Sequence, residues 1–224
     1  MKKLLSGILI VILGISIVGC GNANNGSKEE ESTAQTETTP VQEGTDESNA
    51  SSESSDNNTE EAVEQDAKTL IAYFSYSGNT KGIAEEIQSQ TGADIFEIKT
   101  TSEYPSDYDE VLDVAQEEQQ SNARPELNAT VDNMDEYDVV FLGYPNWWGD
   151  MPMAVYTFLD TYDLSGKTVI PFCTHGGSGF SGTQESIAEA EPDAAMMEGL
   201  SIQDSNLDGA DTEVANWLSG LGMF

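Results

Sequence analysis

The chain has 224 residues, with 41 Asp and Glu against 8 Lys and Arg, and a formal net charge of −33. So acidic a surface cannot replace cations on nucleic-acid phosphates and is repelled by anionic lipid, which excludes nucleic-acid binding and electrostatic membrane association; a basic partner is drawn in instead. His175 is the only histidine, and Cys20 and Cys173 are the only cysteines, too few for an ordinary zinc site.

Lys2-Lys3 precede an apolar run, Leu4 to Val18, closing on Ile17-Val18-Gly19-Cys20. This is a charged n-region, an apolar h-region and a small-residue cleavage site, and it is short of the roughly 20 apolar residues a membrane span needs. Its end resembles a bacterial lipobox, with Ile17 where Leu is commonest. Residues 1–20 are therefore expected to be a lipoprotein signal peptide that leaves Cys20 lipidated and the rest outside the cytoplasm, anchored to the cell membrane through that lipid alone. A plain anchor or an ordinary secretory signal would also carry the chain out of the cytoplasm. With Cys20 lipidated, no intramolecular disulfide can form. Residues 21–68 hold thirteen acids against Lys28 and Lys68, and Val41 and Val63 are their only large apolar residues. Nothing there offsets the entropy of ordering, so a disordered tether is expected, reaching roughly 40 Å as a coil.

From Thr69 an α/β rhythm begins, and residues 69–224 form one expected domain. The strands are Thr69–Phe74, Asp94–Lys99, Asp138–Gly143, Thr168–Cys173 and about Gly199–Ile202. The helices run about Thr80–Thr91 with Ile83, Ala84 and Ile87 inward, from Asp107 with Val111, Leu112 and Ala115 inward, and from Pro152 with Val155, Phe158 and Leu159 inside. Two more follow, at Thr183–Ala190 and at Asp211–Leu218, the last burying Val214, Trp217 and Leu218. The third strand is a continuous apolar run of the kind buried on both faces of a parallel sheet. Five strands alternating with helices predict one open, doubly wound parallel sheet covered on both sides.

Ligands of such sheets bind beyond the C-terminal strand ends, where the strand order reverses. Three loops stand there. After the first strand comes Ser75-Tyr76-Ser77-Gly78-Asn79-Thr80, a strand-to-helix turn whose backbone N–H groups, helix dipole, hydroxyls and amide suit a phosphate. Taken alone, an ordinary capped turn accounts for it equally well. After the third strand comes Tyr144-Pro145-Asn146-Trp147-Trp148-Gly149-Asp150, whose adjacent tryptophans suggest a flat aromatic ligand, with one of the two expected merely to plug the sheet edge. After the fourth comes Thr174-His175-Gly176-Gly177-Ser178-Gly179-Phe180-Ser181, whose glycines let backbone amides approach a ring.

These loops, SYSGNT, GYPNWWGDMP and CTHGGSG in this order, resemble the flavodoxins, and most closely the short flavodoxin-like proteins with a paired tryptophan and a His-Gly-Gly motif. YPSDYDEV at 104–111 and RPELNATVDNMDEYDVVFLGYP at 124–145 are similar to the same group. The resemblance implies the strand order 2-1-3-4-5 and one FMN. It implies that Ser75, Tyr76, Ser77, Gly78, Asn79 and Thr80 hold the phosphate. Pro145, Asn146, Trp147, Trp148 and Gly149 would flank the isoalloxazine on one side, with the 144–150 loop meeting its N5, and Thr174, His175, Gly176, Gly177 and Gly179 on the other. Ser75 and Ser77 stand where well-known flavodoxins carry Thr, and hydroxyls are retained. The insertion that splits the fifth strand of long-chain flavodoxins is absent. The lipid and tether are not typical of soluble carriers.

Rival motifs are weaker. Gly177-Ser178-Gly179-Phe180-Ser181-Gly182 matches G-x-G-x-x-G, with Asp204 about 20 residues on, but a dinucleotide fold opens with that unit. Gly166-Lys167-Thr168 mimics a P-loop end but precedes a strand. Cys173 reads as an inert packing residue, His175 as a flavin contact or a solvent-facing loop residue, and no catalytic residue is assigned. The expected function is FMN-based electron transfer to a redox partner protein or small electron acceptor. The alternatives are an FMN-dependent NAD(P)H or quinone oxidoreductase and a flavin-free interaction module.

Overall fold

The computed structural model describes residues 67–223. The signal peptide, Cys20 and the tether up to 66 lie outside the described residues.

The strands are β1 (Thr69–Tyr73), β2 (Asp94–Glu97), β3 (Val139–Pro145), β4 (Thr168–His175), β5 (Ala195–Met196) and β6 (Leu200–Gln203). The helices are α1 (Asn79–Thr91), α2 (Tyr108–Ser121), α3 (Met153–Thr161), α4 (Thr183–Ala190) and α5 (Ala210–Gly220). All pairings are parallel, in the order β2-β1-β3-β4-β5, with β6 also beside β4. This is the doubly wound α/β sheet of five positions expected from the sequence. Register is fixed by the alternation of side chains across the sheet, since a one-residue slip would turn every core residue over. Leu70, Ala72, Val140, Leu142 and Tyr144 face one way and pack on Ala154, Val155 and Phe158 of α3 and Ile187 of α4. Ile71, Tyr73, Phe141, Ile170 and Phe172 face the other way and pack on Ile83, Ala84 and Ile87 of α1 and Val214 and Leu218 of α5.

Two details differ from the sequence expectation. The fifth position is two short segments, because Met197-Glu198-Gly199 leave the ladder opposite Pro171. Lys167 and Val169 accept from the fifth position through their carbonyls. Pro171 lies two residues further along the same edge, where it has no N–H to offer. Gly199 crosses it so closely that a Cβ there would stand 2.6 Å from the Pro171 carbonyl oxygen. No long insertion separates β5 from β6. Secondly, Leu112 and Trp217, expected inside, are only half-buried. The Trp217 indole instead donates to Glu198 O at 2.9 Å and meets Phe141 edge-on.

Candidate functional site

The loops after β1, β3 and β4 converge at the C-terminal edge, as the topology requires. α1 starts at Gly78, in left-handed backbone (φ 96°), with no side-chain cap. Its first turn holds no acid and one base, Lys81, in a chain where α2, α4 and α5 all begin with acids. The other acid-free start, α3, opens on Pro152 and buried Met153 and is no polar site. An acid-free helix start that opens on glycine leaves N–H groups and the positive dipole end for an anion. Ser75 turns back to cap locally, accepting Lys81 N–H at 3.2 Å. Ser77 is exposed and Asn79 half-exposed, so their side chains are the ones presented outward. Thr80 is buried, its hydroxyl 2.9 Å from that of buried Thr174. That bond ties the loop after β1 to the end of β4.

The loop after β3 is a tight hairpin turn. Trp147 and Asp150 exchange backbone hydrogen bonds of 2.8 and 3.0 Å, with Trp148 (φ 54°) and Gly149 (φ 81°) between them. Positive φ at both central positions is the primed-turn geometry of two-residue hairpins. Glycine adopts it freely, whereas a bulky residue rarely does, so Trp148 carries backbone strain. Asn146 holds the turn. Its amide oxygen accepts Gly149 N–H at 3.0 Å, its NH2 donates to Gly179 O at 2.9 Å and Ser181 Oγ at 3.1 Å, and its backbone N–H donates to Thr174 O at 2.8 Å. The loops after β3 and β4 are thus one unit.

The two tryptophans have separate environments. Trp147 turns inward, edge-to-face with Phe74 (5.4 Å), Tyr76 (5.8 Å) and Tyr104 (5.4 Å). Trp148 is 52% exposed, anchored only by its indole N–H to Leu112 O at 3.2 Å. The exposed ring is the one available to stack on a ligand, while Trp147 fills the sheet edge. In the loop after β4, His175 Nδ1 accepts Gly177 N–H at 2.9 Å, which leaves Nε2 to carry the proton of the neutral ring. Gly176 and Gly177 are exposed, and Gly177 and Gly179 have positive φ. Burial pushes the Cys173 thiol up to about 12, so it stays protonated and inert.

All three predicted loops therefore meet, with divided duties. Ser77, Asn79, Trp148, His175, Gly176 and Gly177 are presented outward, whereas Thr80, Thr174, Asn146, Tyr76 and Trp147 hold the loops. Tyr76 does so through its hydroxyl, which donates to Pro105 O at 2.7 Å. Sequence reasoning placed Ser181 at the end of the loop after β4 but missed its role: its positive φ and bond to Asn146 make it part of the clasp. It also missed Tyr104 as the third wall of the Trp147 cage. A cleft of about 650 Å³ lies not between the tryptophan and histidine loops but beside the first loop, between the ends of β1 and β2.

An open parallel sheet in this order, with an anion-accepting helix start and an exposed aromatic at its switch point, defines the flavodoxin-type α/β class. The chain belongs to the flavodoxin family, whose model matches residues 68–221. A candidate flavoprotein from Bacteroides eggerthii is 31% identical over 70% of this chain and 98% of its own, with a TM-score of 0.62. Another, from Bacteroides uniformis, is 27% identical over 66% and 98%, with a TM-score of 0.60. A flavoprotein from Lactobacillus acidophilus, solved in complex with FMN, is 28% identical over 63% and 97%, with a TM-score of 0.55. Comparison with curated proteins gives no match.

Proposed function

We propose that this chain is an FMN-binding electron-transfer protein held on the outer face of the cell membrane by lipid on Cys20. The observation that carries the flavin reading is the acid-free start of α1, tied by Thr80–Thr174 and Asn146–Gly179 to the two loops that present Trp148 and His175. The donor set fits FMN. Backbone N–H groups of the first turn, with Ser77 and Asn79, suit a dianionic phosphate, and Trp148 offers a face for a flat ring. The family membership and the FMN complex of the Lactobacillus acidophilus relative support the same choice.

When bound, FMN supplies the one- and two-electron chemistry, which the protein tunes by position and charge. The chain's own residues bind and orient. The α1 start and Ser77 hold the phosphate end, Trp148 covers the ring, and Asn146 keeps the facing loops at fixed spacing. His175 Nε2–H can donate a hydrogen bond to a ring acceptor, because Gly177 occupies Nδ1. The lipid and location rest on the lipobox-like Ile17-Val18-Gly19-Cys20 and the long acidic tether.

The visible spectrum of the purified chain tests the flavin reading: yellow protein, or uptake of added FMN, is expected, and a colourless chain that ignores FMN overturns it. Rapid mixing with NADH or NADPH tests the carrier reading, for which slow or no bleaching is expected. Fast bleaching makes the protein an oxidoreductase. Metabolic labelling with a fatty acid tests Cys20, and label that persists in Cys20→Ser overturns the anchor.

A further inference from the structure

We propose that His175 positions the loop after β4 for the flavin through its unprotonated Nδ1, so that protonation of this one ring releases the loop and weakens flavin binding. The link to flavin rests on the FMN reading above; the release of the loop does not. The loop is fastened at both ends. At its start His175 pairs with Gln203 in the β4–β6 ladder, and at its end Gly179 O accepts the Asn146 NH2 at 2.9 Å. Between these points the Gly176-Gly177 pair makes one hydrogen bond among the described residues, from Gly177 N–H to His175 Nδ1 at 2.9 Å. Both glycines are exposed, and Gly177 has a φ of 138°, which side-chain-bearing residues rarely adopt. No packing holds this stretch in place, so one imidazole lone pair sets its course.

That lone pair exists only while the ring is neutral. Imidazolium is a donor at both nitrogens, so its Nδ1–H would meet Gly177 N–H, donor against donor, and the two glycines would have to turn away. Nε2–H donates in either state, so the change falls on the loop and not on a direct contact of the ring. Histidine is the side-chain type that changes charge between about pH 5 and pH 8. The sign follows: the bond is complete at the upper end of that range and lost as pH falls. Asparagine at this position would accept the same N–H through Oδ1 at every pH, so sensitivity to acid is what the imidazole adds. The surrounding elements do not oppose the protonated form. The loop itself is uncharged up to Glu185 in α4. On the β6 side Gln203 is neutral, and the Asp204 that follows it, whose charge is felt at Cys173, favours the imidazolium. In the loop after β3 the Asp150 carboxylate accepts Tyr156 O–H and Met151 N–H, and Lys81 in α1 is paired with Glu85.

The first test needs no flavin. The full chain, labelled with 15N, is titrated by NMR from about pH 8 to pH 5. The Gly177 amide signal should move together with the His175 ring in wild type and stay in place in His175→Asn. A wild-type Gly177 amide that ignores the titration of the ring overturns the proposal. The second test is calorimetry with riboflavin and FMN over the same range. Riboflavin lacks the phosphate, whose own protonation would weaken FMN in any variant. Wild-type affinity for riboflavin should fall about three- to tenfold, the worth of one hydrogen bond, and that of His175→Asn by less than about twofold, whatever its absolute value. FMN should show the same difference between the two proteins. The carboxyls that burial raises, Glu118 and Glu191, titrate in both and cancel. A flat wild-type profile, or an equal fall in both proteins, overturns the link to flavin. If neither flavin is taken up, the FMN reading fails and this link with it, while the amide titration still decides the loop.

Discussion

Asn146 shows how much of the site rests on single side chains that need not touch a ligand. It contributes three side-chain hydrogen bonds, one holding the strained Trp148-Gly149 turn and two crossing to the loop after β4. Asn146→Ala should lower unfolding free energy by about 1–3 kcal/mol in urea denaturation and FMN affinity about tenfold. An unchanged FMN dissociation constant would show that the clasp is irrelevant to binding. Thr80 has a similar holding role, with its hydroxyl spent on Thr174, so the hydroxyl best placed for a phosphate is that of Ser77. Ser77→Ala should weaken FMN by about ten- to a hundredfold and riboflavin hardly at all, since a hydrogen bond to a charged group is worth about 1.5–3 kcal/mol. Equal losses for both ligands would remove this stretch from the phosphate site. The three loops were legible as motifs, but the division between presenting and holding residues was not. It depends on partners such as Thr80–Thr174, 94 residues apart.

At the scale of elements, the central strands decide the architecture and leave little room for change. In β3 Gly143 lies under the Phe172 ring of β4, and a Cβ there would stand 2.1 Å from the ring's Cζ. Phe172 is fully buried, so it cannot swing away. Gly143→Ala should therefore destabilise the domain by about 1–3 kcal/mol or more through overpacking, read as a lower urea midpoint at unchanged slope. Wild-type stability would mean that the β3–β4 packing tolerates a shift. The strands and helices themselves were readable from apolar runs, caps and turn residues. α4 begins and ends where its sequence pattern does, and Asp107 caps α2 by accepting Asp109 and Glu110 N–H groups. The split fifth position was not readable, because Pro171 disrupts a neighbour 24 to 28 residues away in the chain, not its own strand.

For the molecule as a whole, charge is the dominant property. The domain carries few cations, and three of them, Lys81, Lys99 and Arg124, are held in ion pairs with Glu85, Glu97 and Asp160. A negative field disfavours adding a further negative charge, so the fully reduced, anionic flavin should form at a low second reduction potential. Salt screens that field, with a Debye length near 10 Å at about 0.1 M, so the potential should rise with ionic strength. Titration at low and high salt checks this; a salt-independent potential, or reduced flavin stabilised relative to free FMN, contradicts it. Among the described residues no helix is long and apolar enough to cross a membrane.

By itself the sequence determined the class of fold, the order of the elements, the three loops at one edge and the chemistry of their side chains. Those are local properties: hydrophobic period, helix starts, glycines and charge balance act over a few residues. Only the tertiary structure decided that Trp148 is the exposed ring and Trp147 the half-buried plug. It also decided that Asn146 and Thr80 are fasteners, and that a cleft stands between β1 and β2. Each of these depends on which atoms from distant strands come within hydrogen-bonding or van der Waals reach, and the turn after β1 owes its place in a site to that same convergence.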